Sequence, residues 1–496
     1  MQNKNHKTLL ILGNGFDLSC GLKSRYQDFY EAGIEGKISR SCSISNIDFE
    51  GDFEISFGTY EGHKFGFWER WLYENKENLK NPHWHDIENL IKETMLDING
   101  FNGKIVDDLQ NIFYRAFNYC AENCDEIPSP SSNSFLNYAQ NLLKHNPDKF
   151  IYNYIVIYLL IVCEFEYANN SNIPKLLIKF NHHLFSQLNN LERLFNKYLK
   201  YKVENSINYE TNVFELYCKL TNSDIKEFYK DKKINNIFEN IETEYNKIVS
   251  EVYRIEENSD KINSIKIVDV LSRIQDLRDG KIIANRSNIL SSKYPASLET
   301  IRGIFNVSIL NFNYTFQSWQ NKECKFGLCL NSKNVHGSLC LNGSDIIFGI
   351  DDSVISTNYS DKKDLSSHDE IRIFSKTFRT LNNFGTNSTK ILPPKDTNVK
   401  IIFFGHSLNK ADYSYFQSIF DYYDIYNNSN ISLVFYYNSW RNGVRDEVSY
   451  KFEETDKVYK FIHDYGKTFN NKNQGENLIH KLQVENRIQI LDVEFK

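Results

Sequence analysis

A glycine-rich turn near the start of the chain is the first stretch whose residue types could serve chemistry. Residues 9–12 are apolar, and Gly13-Asn14-Gly15-Phe16-Asp17 follows them directly. Glycines let a backbone approach a ligand closely, and the N-terminus of a following helix offers N–H groups to a phosphate. A tight strand-to-helix connection without a ligand would use the same glycines. The dinucleotide fingerprint G-x-G-x-x-G is incomplete, because Leu18 occupies the position of its last glycine.

Similar small or polar clusters follow the predicted strands in the C-terminal part of the chain. In an open parallel sheet, ligands bind outside the carboxyl ends of the strands, near the point where the strand order reverses. The clusters are Asn311-Phe312-Asn313-Tyr314-Thr315, His336-Gly337 and Gly405-His406-Ser407. Such residues also follow strands simply because they form turns. Their convergence with the glycine turn favours a ligand at this edge.

Each candidate side chain also has a structural interpretation. Asn313 is equally suited to a turn. His336 is a candidate acid or base in a short His-Gly turn, although a single histidine is more often structural. Asp17 is either the cap of the first helix or a hydrogen-bond partner of a ribose or amide. Asp412 is interpreted as the N-cap or a first-turn acid of the following helix, with a ligand role as the alternative.

Composition narrows the class of protein. The 496-residue chain has a formal net charge of −6, so nucleic acid is not favoured as its main partner. The longest apolar segment, residues 151–163, is shorter than the ~18 residues of a membrane span, and the N-terminus lacks a secretory pattern. Nine cysteines, an odd number, indicate reduced thiols. We therefore expect a cytoplasmic protein without a membrane partner.

The hydrophobic pattern gives strands at the two chain ends and helices between them. One strand is predicted at residues 7–12, and apolar runs bounded by turn residues predict five more near the C-terminus. These runs are residues 307–312, 345–350, 399–405, 431–437 and 487–495. Helical spacing prevails from about residue 84 to 290, although residues 151–163 suit either a buried helix or a strand.

The N-terminal strand has too few local partners to form a sheet alone. Continuous apolar runs suit strands that are covered on both faces, as in a parallel sheet. We therefore predict an α/β fold with a Rossmann-like, mostly parallel sheet built from both chain ends. Residues 1–66 and 290–496 form this core, and residues 67–289 form a large helical insertion. Residues 381–396 are predicted to be a loop.

Two clusters outside the predicted site could bind a metal. His83, His85, Asp86 and Glu88 are candidate ligands for a nuclease, but acids are also expected in the first turn of a helix. The second cluster is Cys324, Cys329, His336 and Cys340. Its irregular spacing is poor for a structural zinc site. We expect no metal.

Six segments resemble the bacteriophage abortive infection AbiH family, in order and over nearly the whole chain. They are LLILGNGFDLSCGLKSRYQDF, WHDIENLI, NFNYTF, NVHGSL, IIFGIDDS and IIFFGHSLNKADYSYF. The GNGFD opening and the GHSL-x-x-x-D ending are specific together. The resemblance implies a bacterial antiviral defence protein that acts by abortive infection. A phage protein as trigger and a homo-oligomer are further expectations.

A more distant resemblance concerns the chemistry. The order of glycine turn, Asn313, His336-Gly337 and Gly405-x-Ser407 is similar to that of sirtuin-like NAD-consuming domains. It implies NAD as substrate or ligand, with Asn313 positioning the water or ribose and His336 handling a ribose-hydroxyl proton. Thr315 stands where that pattern has Asp, and a paired C-x-x-C zinc ribbon is missing. These departures argue against lysine deacylation and leave NAD hydrolysis open.

The resemblance also assigns binding residues. Gly13, Asn14, Gly15 and Asp17, together with Gly405, His406 and Ser407, would bind the dinucleotide. Two alternatives remain open. A metal-dependent nuclease would use Asp86 and Glu88, and a non-enzymatic sensor would bind a nucleotide or phage product at the glycine turn.

Overall fold

The protein consists of two compact units, a sheet unit and a helical unit. The computed structural model describes residues 6–39, 41–46, 53–77, 86–100, 139, 141–143, 150–166, 173–221, 307–315, 331–339, 346–350, 371–383, 391–408, 412–441 and 443–496. The sheet unit comprises Met1–Lys23, Lys202–Leu339 and Thr386–Lys496, and the helical unit comprises Ser24–Tyr201 and Cys340–Gly385.

The strands are β1 (His6–Leu12), β2 (Ser43–Asn46), β3 (Phe53–Ser56), β4 (Thr59–Tyr60), β5 (His63–Lys64), β6 (Val307–Asn311), β7 (Asn331–Asn334), β8 (Asn398–Phe404), β9 (Ile431–Tyr437), β10 (Trp440–Arg441), β11 (Val444–Arg445) and β12 (Ile488–Asp492). The α-helices are α1 (Gly15–Ser19), α2 (Tyr26–Gly33), α3 (Phe67–Glu77), α4 (Ile87–Gly100), α5 (Phe150–Glu166), α6 (Ile173–Glu204), α7 (Tyr209–Thr221), α8 (Lys376–Asn383), α9 (Tyr413–Tyr423), α10 (Glu447–Gly466) and α11 (Lys472–Val484).

A six-stranded parallel sheet built from both ends of the chain forms the centre of the sheet unit. Its order is β12-β9-β8-β1-β6-β7, and every neighbouring pair is parallel. Leu9 in β1 pairs with Ser308 on one side and with Ile401 on the other. Numbered within this sheet alone, the order is 6-5-4-1-2-3, which is the doubly wound Rossmann arrangement. The predicted fold class is confirmed.

Apolar side chains cover both faces of this sheet. Leu10 and Leu12 of β1 lie in one core cluster with residues of α7, whereas Leu9 and Ile11 lie in a second cluster with residues of α9, α10 and α11. Consecutive strand residues point to opposite faces, so burial on both sides requires a continuous apolar run. All four side chains are fully buried. At roughly 1.5–3 kcal/mol each, they contribute about 6–12 kcal/mol to folding.

Five predicted strands are confirmed, and one is wrong. The runs at residues 7–12, 307–312, 399–405, 431–437 and 487–495 correspond to β1, β6, β8, β9 and β12. Residues 346–350 belong to the helical unit and form only one isolated bridge, between Ile350 and Ser375. There the Phe348 N–H donates to Glu192 Oε1 at 2.7 Å, and the Phe348 carbonyl accepts from Arg379 Nη1 at 2.6 Å. Side chains therefore replace sheet partners for this buried backbone.

The helical unit resolves two further expectations. The ambiguous apolar segment at residues 151–163 lies within helix α5, where Phe150 and Tyr154 pack against Phe67 of α3. The predicted loop at residues 381–396 is wrong at its start, because α8 continues to Asn383. In the described part of the chain, no helix combines the length and apolarity that crossing a membrane requires.

Part of the predicted helical insertion lies outside the described residues. Residues 101–138 and 222–289 belong to this part. The predicted boundary at residue 290 also lies there. The division of the chain into a core and an insertion at residues 66 and 290 therefore stays a prediction.

The turns that follow β1 and β8 pack backbone against backbone. The Gly13 N–H donates to the Phe404 carbonyl at 3.0 Å, and the Gly15 N–H donates to the Gly405 carbonyl at 2.8 Å. A Cβ atom on Gly15 would lie 2.6 Å from Gly405 Cα, and one on Gly13 would lie 2.5 Å from His406 Cα. These glycines are therefore required by the contact between two neighbouring strand ends.

Gly405→Ala should lower the free energy of unfolding by at least about 3 kcal/mol. Its Cβ would lie 2.4 Å from Phe16 N, and its φ of +71° is unfavourable for alanine. Gly21→Ala is the matched control, because Gly21 has φ +86° but nothing within 4 Å of a Cβ, so only about 1–2 kcal/mol of backbone strain remains. Chemical denaturation measures both variants. Equal destabilisation would contradict the close packing of the two turns.

Candidate functional site

The candidate residues from the sequence lie together at the carboxyl edge of the sheet. Gly13, Asn14 and Gly15 follow β1, Asn313 follows β6, His336 follows β7, and Gly405, His406 and Ser407 follow β8. The strand order reverses between β1 and β8, which is where a ligand crevice is expected in this fold. The structure therefore brings the four strand ends to one place.

Two N–H groups of the glycine turn already have partners within the sheet unit. The Gly13 and Gly15 N–H groups donate to carbonyls of the neighbouring strand end. The side chains of Asn14 and Ser407 are exposed at the same edge. Any contact of this turn with a dinucleotide therefore depends more on the exposed side chains than on the glycine N–H groups.

Asn313 is fixed by three hydrogen bonds. Its side-chain Nδ2 donates to the Gly13 carbonyl at 3.0 Å, its N–H donates to Asn311 Oδ1 at 3.1 Å, and its carbonyl accepts from Asn334 Nδ2 at 3.0 Å. The bond to Gly13 sets the orientation of the amide, because an oxygen in place of Nδ2 would face another carbonyl.

The side-chain oxygen of Asn313 is an open acceptor, which means that none of the described residues donates a hydrogen bond to it. Asn313 is only 3% exposed, and its Oδ1 atom accepts no hydrogen bond from the residues that the structure describes. A buried polar atom of this kind is normally satisfied by water or a ligand. The Oδ1 atom therefore suits a hydroxyl or water donor at the junction of the β1 and β6 ends.

Asp412 connects the two histidines of the site. Its Oδ1 atom lies 2.9 Å from His336 Nε2, and its Oδ2 atom lies 3.3 Å from His406 Nε2. The three side chains are between 4% and 14% exposed. Asp412 occupies the N-cap position of α9, as the sequence predicts, but its side chain makes no capping hydrogen bond. Its carboxylate contacts histidines instead.

The backbone of Leu408 determines which nitrogen of His406 carries the proton. The Leu408 N–H donates to His406 Nδ1 at 3.0 Å. This bond requires a lone pair on Nδ1, so the neutral ring carries its proton on Nε2, towards Asp412. Leu408 has φ +57°, which is uncommon for a residue with a side chain and costs about 1–2 kcal/mol.

Aromatic rings surround the two histidines. The Phe312 ring centroid lies 5.5 Å from that of His336 and 4.8 Å from that of His406, both in edge-to-face geometry. Tyr415 contacts His336 and Phe416 contacts His406 in the same manner. These contacts hold the ring planes of the two histidines.

Asp17 is a buried carboxylate within the sheet unit. The Tyr209 hydroxyl donates to Oδ1 and the Thr315 hydroxyl donates to Oδ2, both at 2.7 Å. Burial raises the pKa of Asp17 to about 6, against the opposing effect of these two hydrogen bonds. Asn14, not Asp17, is the N-cap residue of α1. A direct contact of Asp17 with a ligand stays a prediction.

Thr315 has a structural role in the sheet unit. Its hydroxyl donates to the buried Asp17 carboxylate at 2.7 Å. An aspartate at this position would place a second carboxylate against Asp17 and remove the donor. Sequence reasoning missed this pair, because its two members are 298 residues apart.

The acids of the rival metal cluster are engaged in the helical unit. Asp86 accepts hydrogen bonds from Asn89 N and Nδ2 at 3.1 and 2.7 Å, which caps the start of α4. Glu88 forms an ion pair with Lys376 at 2.8 Å. Within the described ranges, no group of three or more His, Cys, Asp or Glu residues could hold a metal. The remaining candidates, His83, His85, Cys324, Cys329 and Cys340, lie outside those ranges.

The comparison with protein families identifies the relationship. The family model of bacteriophage abortive infection AbiH matches residues 9–153 and 133–437, which together run from β1 to the end of β9. The chain belongs to the AbiH family. No curated protein and no solved structure matches this AbiH family member. Membership indicates antiphage defence by abortive infection, and the matched ranges contain every residue of the strand-end site.

Asp17→Asn should make the stability of this AbiH family member less dependent on pH. Because the folded pKa is raised from 3.8 to about 6, the stability that Asp17 contributes is complete below 3.8 and is lost as pH rises through 6. The total is about 3 kcal/mol, of which about 1 kcal/mol falls between pH 5 and 8. Asparagine keeps the size, and both hydroxyls can donate or accept.

Chemical denaturation across this pH range measures the effect. The free energy of unfolding of the wild type should fall by about 1 kcal/mol more than that of Asp17→Asn between pH 5 and 8. Parallel curves for the two proteins would contradict a buried, titrating Asp17.

Proposed function

We propose that this AbiH family member binds NAD at the carboxyl edge of its sheet and hydrolyses it when phage infection activates the protein. The observation that carries the proposal is the open Oδ1 acceptor of Asn313, which the Gly13 carbonyl orients at the end of β6. His336 stands at the end of the neighbouring strand β7. An amide acceptor and an imidazole at adjacent strand ends suit a ribose with its hydroxyl groups.

The reaction is cleavage of the bond between nicotinamide and ribose. Nicotinamide leaves with the bonding electrons, water supplies the oxygen that joins the ribose carbon, and a proton is released with ADP-ribose. Positive charge develops on the sugar, so the site needs oriented dipoles, a base of near-neutral pKa and little bulk water. Asn313 would hold the water or a ribose hydroxyl, and His336 would receive a hydroxyl proton.

The exposed edge of the site would bind the rest of the dinucleotide. Asn14 and Ser407 present polar side chains to solvent beside the turns of β1 and β8. The turn backbone is held rigidly by the contacts of Gly15 with Gly405. Rigid strand ends with a few polar side chains are typical of nucleotide sites in doubly wound folds.

Burial of the reactive groups suits a protein that is silent until it is triggered. Asn313 and His336 are each only 3% exposed. A ligand can therefore reach them only after neighbouring groups move. We expect slow turnover by the resting protein and faster turnover once a phage product shifts it to an open state.

The nuclease alternative has less support from the described residues, whereas the sensor alternative shares the proposed site. Asp86 is occupied as a helix cap and Glu88 is paired with Lys376, which leaves neither carboxylate poised for a metal-dependent nuclease. A non-enzymatic sensor would use the same strand ends as the proposed hydrolase. It differs in one measurable respect, because it binds NAD without consuming it.

Infected cells that express the wild type should lose NAD and accumulate ADP-ribose, whereas Asn313→Ala and His336→Ala should lower the rate at least about 100-fold. Mass spectrometry of cell extracts measures both metabolites. Asn473→Ala and His480→Ala are the matched controls, since they change the same residue types at exposed positions of α11 and should behave as wild type.

Two outcomes would contradict the hydrolase proposal. Unchanged NAD in cells that express either wild type or His336→Ala, at equal protein levels, would exclude hydrolysis. If defence is nevertheless lost in Asn313→Ala, and purified wild type binds NAD without turnover, the protein is a sensor.

A further inference from the structure

We propose that Asp412 is a positioning residue that fixes the tautomer of His336 and makes Nδ1 of His336 the proton-accepting atom of the site. The inference rests on the proposed function where it concerns catalysis, because His336 is there the group that takes a proton. Its physical part concerns the protein without substrate, and it can be tested on that protein directly.

The hydrogen bond between Asp412 and His336 determines which nitrogen of His336 carries the proton. Asp412 Oδ1 and His336 Nε2 are 2.9 Å apart. An ionised carboxylate can only accept hydrogen bonds, so Nε2 must be the donor. In the neutral ring the lone pair is then on Nδ1. A carboxylate that holds one ring nitrogen in this way also stabilises the imidazolium that forms when the other nitrogen takes a proton.

The other oxygen of Asp412 lies near His406. Its Oδ2 atom is 3.3 Å from His406 Nε2. His406 cannot offer a lone pair at this atom while it is neutral, because the Leu408 N–H already uses the lone pair on Nδ1. His406 therefore presents a second N–H to the carboxylate. Asp412 therefore has a hydrogen bond to His336 on Oδ1 and the Nε2–H group of His406 at an ion-pair distance from Oδ2.

Aromatic contacts hold the rings of His336 and His406 against rotation. Phe312 meets both imidazoles edge to face, and Phe416 meets His406 from the other element, α9. The side chain of Asp412 makes no capping bond with the first turn of α9, although aspartate is a preferred cap. The Asp412 carboxylate thus contacts the two histidines and does not cap the helix.

This arrangement predicts an unusual effect of Asp412→Asn. Asparagine has one acceptor and one donor group where aspartate has two acceptors. Because His406 can present only Nε2–H, the asparagine oxygen must face His406 and its NH2 group must face His336 Nε2. His336 then has to accept at Nε2, and its proton moves to Nδ1 by exchange with solvent. Asparagine has nearly the same size as aspartate, but Nδ1 of His336 now carries a proton and cannot accept one.

The direct test is the ring tautomer in protein labelled with 15N-histidine, observed by NMR at about pH 8.5, where unperturbed imidazoles are neutral. In the wild type, His336 and His406 should both be Nε2–H tautomers. In Asp412→Asn, His336 should become the Nδ1–H tautomer and His406 should not change. His336→Gln and His406→Gln assign the signals.

A second variant removes the competing donor. In Asp412→Asn with His406→Phe, the asparagine oxygen is released to His336, so the Nε2–H tautomer should return. Phenylalanine suits the aromatic contacts of Phe312 and Phe416 around position 406. A wild-type His336 in the Nδ1–H form, or an unchanged His336 in Asp412→Asn, would overturn the proposal. The wild-type spectrum decides even if a variant does not fold.

NAD turnover in infected cells separates this inference from the proposed function. Asp412→Asn should lower turnover about 100-fold or more, because Nδ1 of His336 then carries a proton and cannot accept one. Full turnover by Asp412→Asn, beside inactive His336→Ala, would overturn the positioning role and leave the hydrolase intact. The expected tautomers in a wild type that never consumes NAD would instead contradict only the hydrolase.

Discussion

The structure depends on one constraint, which is that β1 must be paired on both sides by strands from the far end of the chain. β6 begins at Val307 and β8 begins at Asn398, and both pair with β1 in parallel. A parallel sheet places all carboxyl ends at one edge. Because β1 is buried on both faces, the same pairing that completes the core also assembles the strand-end site from segments hundreds of residues apart.

The contacts that stabilise this edge are the contacts that position its side chains. The Gly13 carbonyl orients the Asn313 amide, and the Gly15 N–H ties the same turn to Gly405. Asp17 joins α1 to Tyr209 and to the segment after β6 through Thr315. A buried carboxylate and a left-handed Leu408 are both unfavourable in isolation. Such features are concentrated at functional sites, and here they lie behind the strand ends.

Sequence reasoning found the elements whose identity is set by local pattern. The continuous apolar runs of β8 and β9 can only be buried on both faces, so they were predictable as strands of a parallel sheet. The run at residues 345–350 has the same pattern, yet Glu192 and Arg379 satisfy the backbone of Phe348 in the helical unit. Nothing in the run itself distinguishes these two ways of burying a backbone.

The position of the site was predictable from the sequence, but the partners of its carboxylates were not. A turn after each parallel strand locates Asn313, His336 and Gly405 at one edge, whichever side chains they carry. The partners of Asp17 and Asp412 lie in distant segments, so the sequence left Asp17 between two local roles and Asp412 as a helix cap. Side chains from other elements hold both carboxylates. Tyr209 and Thr315 donate to Asp17, whereas Asp412 is hydrogen-bonded to His336 and lies 3.3 Å from Nε2 of His406.

The proposed function requires the strand ends to form one ligand site around Oδ1 of Asn313. A crystal structure of the protein with bound ADP-ribose tests this requirement. The ribose should lie between the ends of β1 and β7, with a hydroxyl or a bridging water within about 3.2 Å of Asn313 Oδ1. The requirement is contradicted if Asn313 Oδ1 is bonded to a protein group and ADP-ribose occupies a different part of the molecule.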